Sequence, residues 1–492
     1  MPHAHWRKLV ASATLIIFGA VLVTGVAHAS TAASRCTRFS PGADLRHCNL
    51  AGADLAGRNL SRANLTGANL TKANLTSANL FRATLKGANL TKANLTSANL
   101  VRATLRGANL TFANLTSSAL RSATLARATL TGADLTRAVL KSTTLAYANL
   151  TWANLTSAML TFADLSSATL TDADLTSSVL MRADLTRASL TNADLSGANL
   201  ANANLGFSDL FGADLSGANL DSANFSGTTL TRADLLGADL TLIRSGGILG
   251  APPSLPFRWS LANGYLVGPR ANLTAANLAG VDLKDAYLSG TDFASANLTG
   301  VDATSAVFTG ANLTGTTLTG IQLAGADFES ANLGGTQDDP TNFAGDNLAN
   351  VNFAGANFHF GVNFSNANLS GTNFTGAFLG CGCPAGDYDN FAAADLSNAV
   401  LPSLNLTNAD FTGSTMANTN LAGSDFAGGF VGCPNCANGA ILEHVTFTDA
   451  NLLGAEFGGT DTVGNDAWND TVCPDGTNSN NDSDTCANNG VH

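Results

Sequence analysis

From Leu45 to Leu240 every fifth residue is leucine, with Phe225 the single exception, and the residue two places earlier is usually alanine. A five-residue period suits neither the 3.6-residue turn of an α-helix nor the two-residue alternation of a flat strand, so a repeat architecture has to be considered first. A longer period lies over the short one, because residues 76–95 and 96–115 differ at only three positions. Stepping by twenty also gives uniform columns such as Thr76, Thr96, Thr116, Thr136, Thr156 and Thr176, whereas the column Phe81, Val101, Arg121, Lys141 is mixed. Four pentads therefore make one coil with chemically different sides. Successive coils are predicted to stack as short parallel β-segments at the usual strand spacing of about 4.8 Å.

The tandem motif A-[DN]-L-[TS]-x, as in Ala63-Asn64-Leu65-Thr66-Gly67, resembles the pentapeptide-repeat family over roughly residues 43–457. The resemblance implies an all-β chain: a right-handed quadrilateral parallel β-helix, with loop or hairpin interruptions. It places Leu65 and Ala63 in the core and Asn64, Thr66 and Gly67 at the surface. Each coil then buries its leucines against its neighbours, so no single globular core is required. Family members that protect topoisomerase from quinolones by mimicking DNA are cytoplasmic and acidic. A DNA-mimicking topoisomerase-binding protein is thus an alternative function, against which stand this chain's leader and its basic first block.

The leader is MPHAHWRK followed by an apolar run, Leu9 to Val26, and an A-x-A site at Ala27-His28-Ala29. That order is the signature of a secretory signal peptide, with cleavage after Ala29; an uncleaved membrane anchor is the competing reading. Either places the repeats outside the cytoplasm, at the cell surface or beyond. The expected organisation is a signal peptide at 1–29, a cap at 30–42, a regular helix at 43–240, an insert at 241–270, an irregular helix at 271–457 and a polar tail at 458–492. Within the insert, Asn263-Gly264 between two short apolar runs is a hairpin signal. Trp259 and Tyr265 either anchor a partner or cover the wall of the helix.

Eight cysteines in an exported chain point to disulfides. Cys36 and Cys48 bracket the first coil, with Cys48 in an inward small-residue slot, and Cys473 and Cys486 bracket a polar tail. Cys381, Cys383, Cys433 and Cys436 fall in interruptions of the ladder, where a zinc site or a redox CxxC is the alternative to disulfides. The tail from Asp475 to Asp484 carries oxygen ligands, but not at EF-hand spacing.

Charge is polar along the chain. Residues 45–141 hold thirteen Lys and Arg against two Asp, whereas residues 241–492 hold four against twenty-three acidic residues. Arg62, Arg82 and Arg102 stack in one column and Lys72 and Lys92 in another, a candidate binding surface for an anionic cell-envelope polymer or a protein. Catalysis lacks a constellation: His47, His359, His444 and His492 are far apart in sequence, and no nucleophile motif occurs. The expectation is a non-enzymatic scaffold or binding protein without a cofactor, and one that does not bind nucleic acid. Membrane contact is expected only if the leader stays attached. A lattice binder, holding ice or a polysaccharide along the Thr columns, is a further alternative.

Overall fold

The computed structural model describes residues 36–335, 340–379, 389–407, 409–426, 445–448, 450–453, 467–469, 471–475 and 477. The candidate leader, with Cys381, Cys383, Cys433, Cys436, Cys486, His444 and His492, lies outside them. The chain forms two compact units, Met1–Ala153 and Asn154–His492.

In the first unit each outward residue bridges in parallel to the residue twenty further on, from Asp44↔Asn64 to Thr129↔Asn149. One pentad shows why the motif reads as it does. The Ala63 N–H closes a turn on the Leu60 carbonyl at 3.0 Å, Asn64 donates back to Ala43 at 2.9 Å, and Leu65 and Gly67 donate forward to Thr84 and Lys86 at 2.6 and 3.0 Å. That leaves the Thr66 N–H, which reaches the Asn64 side-chain oxygen at 3.1 Å. All five backbone donors are thus paired, and the Asn or Asp before each leucine supplies the one acceptor that the coil lacks. Ala63 and Leu65 are fully buried. Each such leucine contributes roughly 1.5–3 kcal/mol of burial before entropy is charged.

The last residue of each pentad lies in the left-handed region, at φ between 54° and 63° for every non-glycine from His47 to Leu242. It is the third residue of a β-turn, where positive φ is the type II requirement. No Val, Ile or Thr occupies a positive-φ site anywhere among the described residues, although threonine dominates the position immediately before. Branching at Cβ is what that backbone tolerates least.

The second unit begins with the same twenty-residue step and then lengthens individual coils without losing the ladder. Bridges run on past Leu240 through Arg244, Leu249 and Ser254, with Ile243 and Ile248 buried in slots that alanine fills elsewhere. The excursion therefore starts later than the leucine pattern indicates. Arg244 pairs with Asn272, a step of twenty-eight, which accounts for the three-residue phase shift between Leu240 and Leu273. The extra length is an antiparallel hairpin, β1 (Ser260–Ala262) and β2 (Tyr265–Val267), turning at Asn263-Gly264. Ser245 stands where a leucine is due; its hydroxyl accepts the Leu266 N–H at 2.9 Å, and Leu266 is buried.

Later coils take steps of twenty-five at Asp327↔Asn352, twenty-seven at Asn363↔Asn390 and thirty-one at Asn420↔Asn451. Phenylalanine carries the core across these insertions. Phe308, Phe328, Phe353 and Phe374 form one stack with centroids 4.5, 5.5 and 5.1 Å apart. Phe343, Phe364, Phe391 and Phe411 form a second, at 5.5, 5.2 and 4.8 Å.

Candidate binding surfaces

Arg62, Arg82 and Arg102 are exposed and sit at the left-handed turn position, as do Lys72 and Lys92 two pentads further round the coil. Arg121 and Lys141 lie one residue earlier in the same turn, so one corner presents a cation on each of five consecutive coils: Arg62, Arg82, Arg102, Arg121 and Lys141. Sequence columns taken one at a time missed this line, because it changes column midway. Among the described residues an ion pair joins Arg46 to Asp44 at 2.9 Å, and none is formed by the five cations of that corner.

Exposed aromatic side chains on the first unit share the left-handed positions. Phe112 follows Lys72 and Lys92 in their column and lies over Gly132, where an added Cβ would meet the ring at 2.4 Å. The Arg127 guanidinium lies 5.6 Å from the centroid of Tyr147. In the second unit Arg182 pairs with Phe162 at 5.6 Å and Arg187 with Phe207 at 6.0 Å, each one coil apart. A side chain twenty residues away in the sequence is the signal that could have revealed these pairs.

The threonine columns have an internal role. Thr66, Thr71 and Thr76 each donate a hydroxyl to the preceding Asn at 2.7 Å. Thr116 donates to Asp134 on the next coil at 3.0 Å. Burial raises the Asp134 and Asp174 carboxyl pKa values, but hydrogen bonds from Thr136 and Thr116, and from Thr176 and Thr156, outweigh it and hold both below the ordinary range. Hydroxyls already donating along the wall are poorly placed to donate to an external lattice.

Trp259 and Tyr265 are partly buried against the core of the second unit. The Trp259 ring fills the space over Gly268, where a Cβ would meet it at 2.4 Å. The Tyr265 hydroxyl accepts the Asn277 N–H at 3.2 Å. Both rings therefore have packing partners within the wall. Beside them a cleft of about 280 Å³ is lined by Arg258, Trp259, Asp282, Lys284, Asp285 and Tyr287, and the Arg258 guanidinium closes over Tyr287 at 3.7 Å from the ring centre.

Cys36 and Cys48 are bonded, with Cα atoms 5.5 Å apart, and Cys48 is buried in its inward slot. Cys473 is buried and disulfide-bonded as well. His47 lies over Gly67, and His359 packs against Phe360 with ring centroids 4.1 Å apart. No group of three or more His, Cys, Asp or Glu among the described residues is placed to hold a metal ion.

The family model described as pentapeptide repeats (8 copies) matches residues 42–76, 59–96, 98–137, 133–172, 168–206, 208–243, 271–310, 306–337, 341–379 and 390–428. Among solved structures the chain is similar to HetL, a pentapeptide repeat protein involved in heterocyst differentiation regulation in the cyanobacterium Nostoc. The identity is 33% over 46% of this chain and 92% of that one, with a TM-score of 0.28. It is also similar to full-length QnrB1, a plasmid-mediated fluoroquinolone resistance protein, at 15% identity over 47% of this chain and 92% of that one, with a TM-score of 0.14. A third similarity is to a pentapeptide repeat protein of the Arabidopsis thaliana thylakoid lumen, at 22% identity over 32% of this chain and 63% of that one, with a TM-score of 0.08. No curated protein matches the chain.

Proposed function

The chain belongs to the pentapeptide-repeat family, and from that premise we propose that it is an exported, non-enzymatic scaffold with a right-handed, four-sided coil. Its basic amino-terminal block is the surface that contacts an anionic cell-envelope polymer. The observation that carries this reading is the corner on which Arg62, Arg82, Arg102, Arg121 and Lys141 stand on consecutive coils, exposed and without a carboxylate partner among the described residues. Cations about one strand spacing apart repel one another, and a polyanion lying along the corner relieves that repulsion. The leader pattern supports export, and the Cys36–Cys48 bond suits an oxidising compartment. A DNA mimic needs the opposite sign of charge at this corner.

Fractionation of the native cell, with sequencing of the mature amino terminus, tests export; the expected first residue is Ser30. Retention of the full chain on anionic wall polymer or anionic lipid vesicles tests the surface. Retention should fall as salt is raised, and fall at fixed salt when Arg62, Arg82, Arg102, Lys72 and Lys92 are all replaced by Gln. A cytoplasmic chain, or retention indifferent to both changes, removes the reading.

A further inference from the structure

We propose that the basic corner of the first unit docks on an acidic face of the second unit of another copy of this chain, through columns of opposite charge with the same spacing. Asp174, Asp194, Asp214 and Asp234 occupy one outward position on four successive coils and are joined by parallel bridges from each to the next. The eight turn residues that follow them, two per coil, include no Lys or Arg, and seven are Ser, Thr or Gly. That edge of the face is therefore low in relief, and the turns that precede the carboxylates add one cation, Arg232, and one further anion, Asp172, so the net charge of the column is not cancelled.

The carboxylates are also fixed in place. Asp174 accepts the Thr176 N–H at 2.9 Å and the Thr156 hydroxyl at 2.9 Å. Asp194 accepts the N–H and hydroxyl of Ser196 at 2.9 and 2.6 Å, and Asp214 and Asp234 accept the N–H groups of Ser216 and Leu236 at 2.8 and 2.9 Å. At Asp234 the Ser254 hydroxyl and the Leu236 N–H hold the carboxyl below the ordinary range, and at Asp174 burial raises the pKa but the Thr176 and Thr156 donors outweigh it. Stacked like charges are unfavourable within one sheet, so each column gains from a partner of the other sign.

A second copy is the occupant that matches best, because both columns are generated by the same twenty-residue coil and carry one charge per coil. Four anions then meet four of the five cations, and a slip by two coils or more leaves charges unpaired. An unrelated basic partner has no reason to repeat at this interval. The two faces differ, so the contact is heterologous: each copy keeps one face free, and assembly continues to further copies unless a ring closes. This inference shares the exposed basic corner with the envelope reading but depends on neither export nor an envelope polymer.

Sedimentation velocity on the full chain tests it. Wild type should show species larger than one chain at 0.1 M salt and lose them at 1 M, where the screening length drops from about 10 to about 3 Å. Two variants separate the faces. One carries Arg62→Gln, Arg82→Gln, Arg102→Gln, Arg121→Gln and Lys141→Gln; the other carries Asp174→Asn, Asp194→Asn, Asp214→Asn and Asp234→Asn. Asn already fills the acidic position one coil earlier, at Asn154, so the turn acceptor is kept. Each variant alone should sediment as a single chain, and an equimolar mixture should form a two-chain species, since each supplies the face that the other lacks. Unchanged melting by circular dichroism establishes that both variants are folded. A wild type that stays single-chained at low salt, or folded variants that do not complement on mixing, overturns the proposal. Retention of the aspartate-to-asparagine variant on anionic polymer reads the envelope surface separately, so failure of one reading is distinguishable from failure of the other.

Discussion

At Arg102 the backbone φ is 59°, a conformation that glycine adopts without cost and that a Cβ-branched residue resists. The same geometry recurs at the end of every pentad in the regular block, which explains why the fifth position varies among Gly, Ser, Asn, Arg and aromatic residues yet never branches at Cβ. Arg102→Val should therefore lower the melting temperature by the equivalent of roughly 1–2 kcal/mol, while Arg102→Gly should leave it unchanged or raise it. Equal melting of the two variants would disprove the left-handed assignment. The inward small-residue slot makes the opposite demand, and Asp389 is its most costly occupant. Its side chain is buried, with one oxygen accepting the Val362 N–H at 3.2 Å, and burial pushes its carboxyl pKa up to about 7. The folded state therefore favours the protonated acid. Its contribution to stability is fully present below the unfolded value near 3.8 and is lost as pH rises through about 7, a change of ~4 kcal/mol across the window. Asp389→Asn keeps an acceptor for Val362 without the charge. Thermal melts at pH 4 and pH 8 should show wild type less stable at the higher pH and the variant losing less, the remaining loss coming from Asp346, where burial pushes the carboxyl pKa up to about 6. An equal pH response in both would rule out Asp389 as the cause.

The element that the sequence shows least well is the elongated coil. An inward leucine every five residues is legible because the slot admits one shape, and the acceptor before it is legible because one backbone donor depends on it. The length of an insertion follows no such rule: a coil of twenty-five, twenty-seven or thirty-one residues rejoins the same ladder. The boundary after Leu240 is displaced for a related reason, since Ile243 and Ile248 hold the wall from the alanine slots while the leucine slots fall to Ser245 and Gly250. What keeps register across the long coils is ring stacking. Phe308 and Phe328 stack almost parallel at 4.5 Å, and Phe364 meets Phe391 at 5.2 Å although twenty-seven residues separate them. Phe328→Ala should cost about 3–5 kcal/mol, and Phe328→Leu much less, because leucine fills the same slot in the first block. Hydrogen exchange should then quicken in coils adjoining residue 328 before it does so in residues 60–150. Uniform acceleration along the chain would show that the stacks carry no local share of the stability.

For the whole molecule, support comes coil by coil, so a local loss should stay local. Charge patches were only partly legible at this scale. Arg62, Arg82 and Arg102 align in a simple count of twenty, but Arg121 and Lys141 join them only once two neighbouring turn residues are seen to share a corner. In the sequence the aromatic residues of the insert fit either an anchor or a wall, and only the packing of Trp259 over Gly268 shows the space that its ring fills. Cysteine placement makes the coil-by-coil picture testable. No cysteine lies between Cys48 and Cys381, and the Cys36–Cys48 bond ties the first described residues to an inward slot of the first coil. Reduction removes that tie and any later bridge but leaves untouched the backbone bonds that pair every pentad, such as those of residues 63–67. Limited proteolysis after reduction should thus give new cuts before residue 53 and beyond residue 380, while residues 60–240 survive as before. Cleavage spread evenly through 60–240 would mean that the leucine ladder does not stand without its covalent ends.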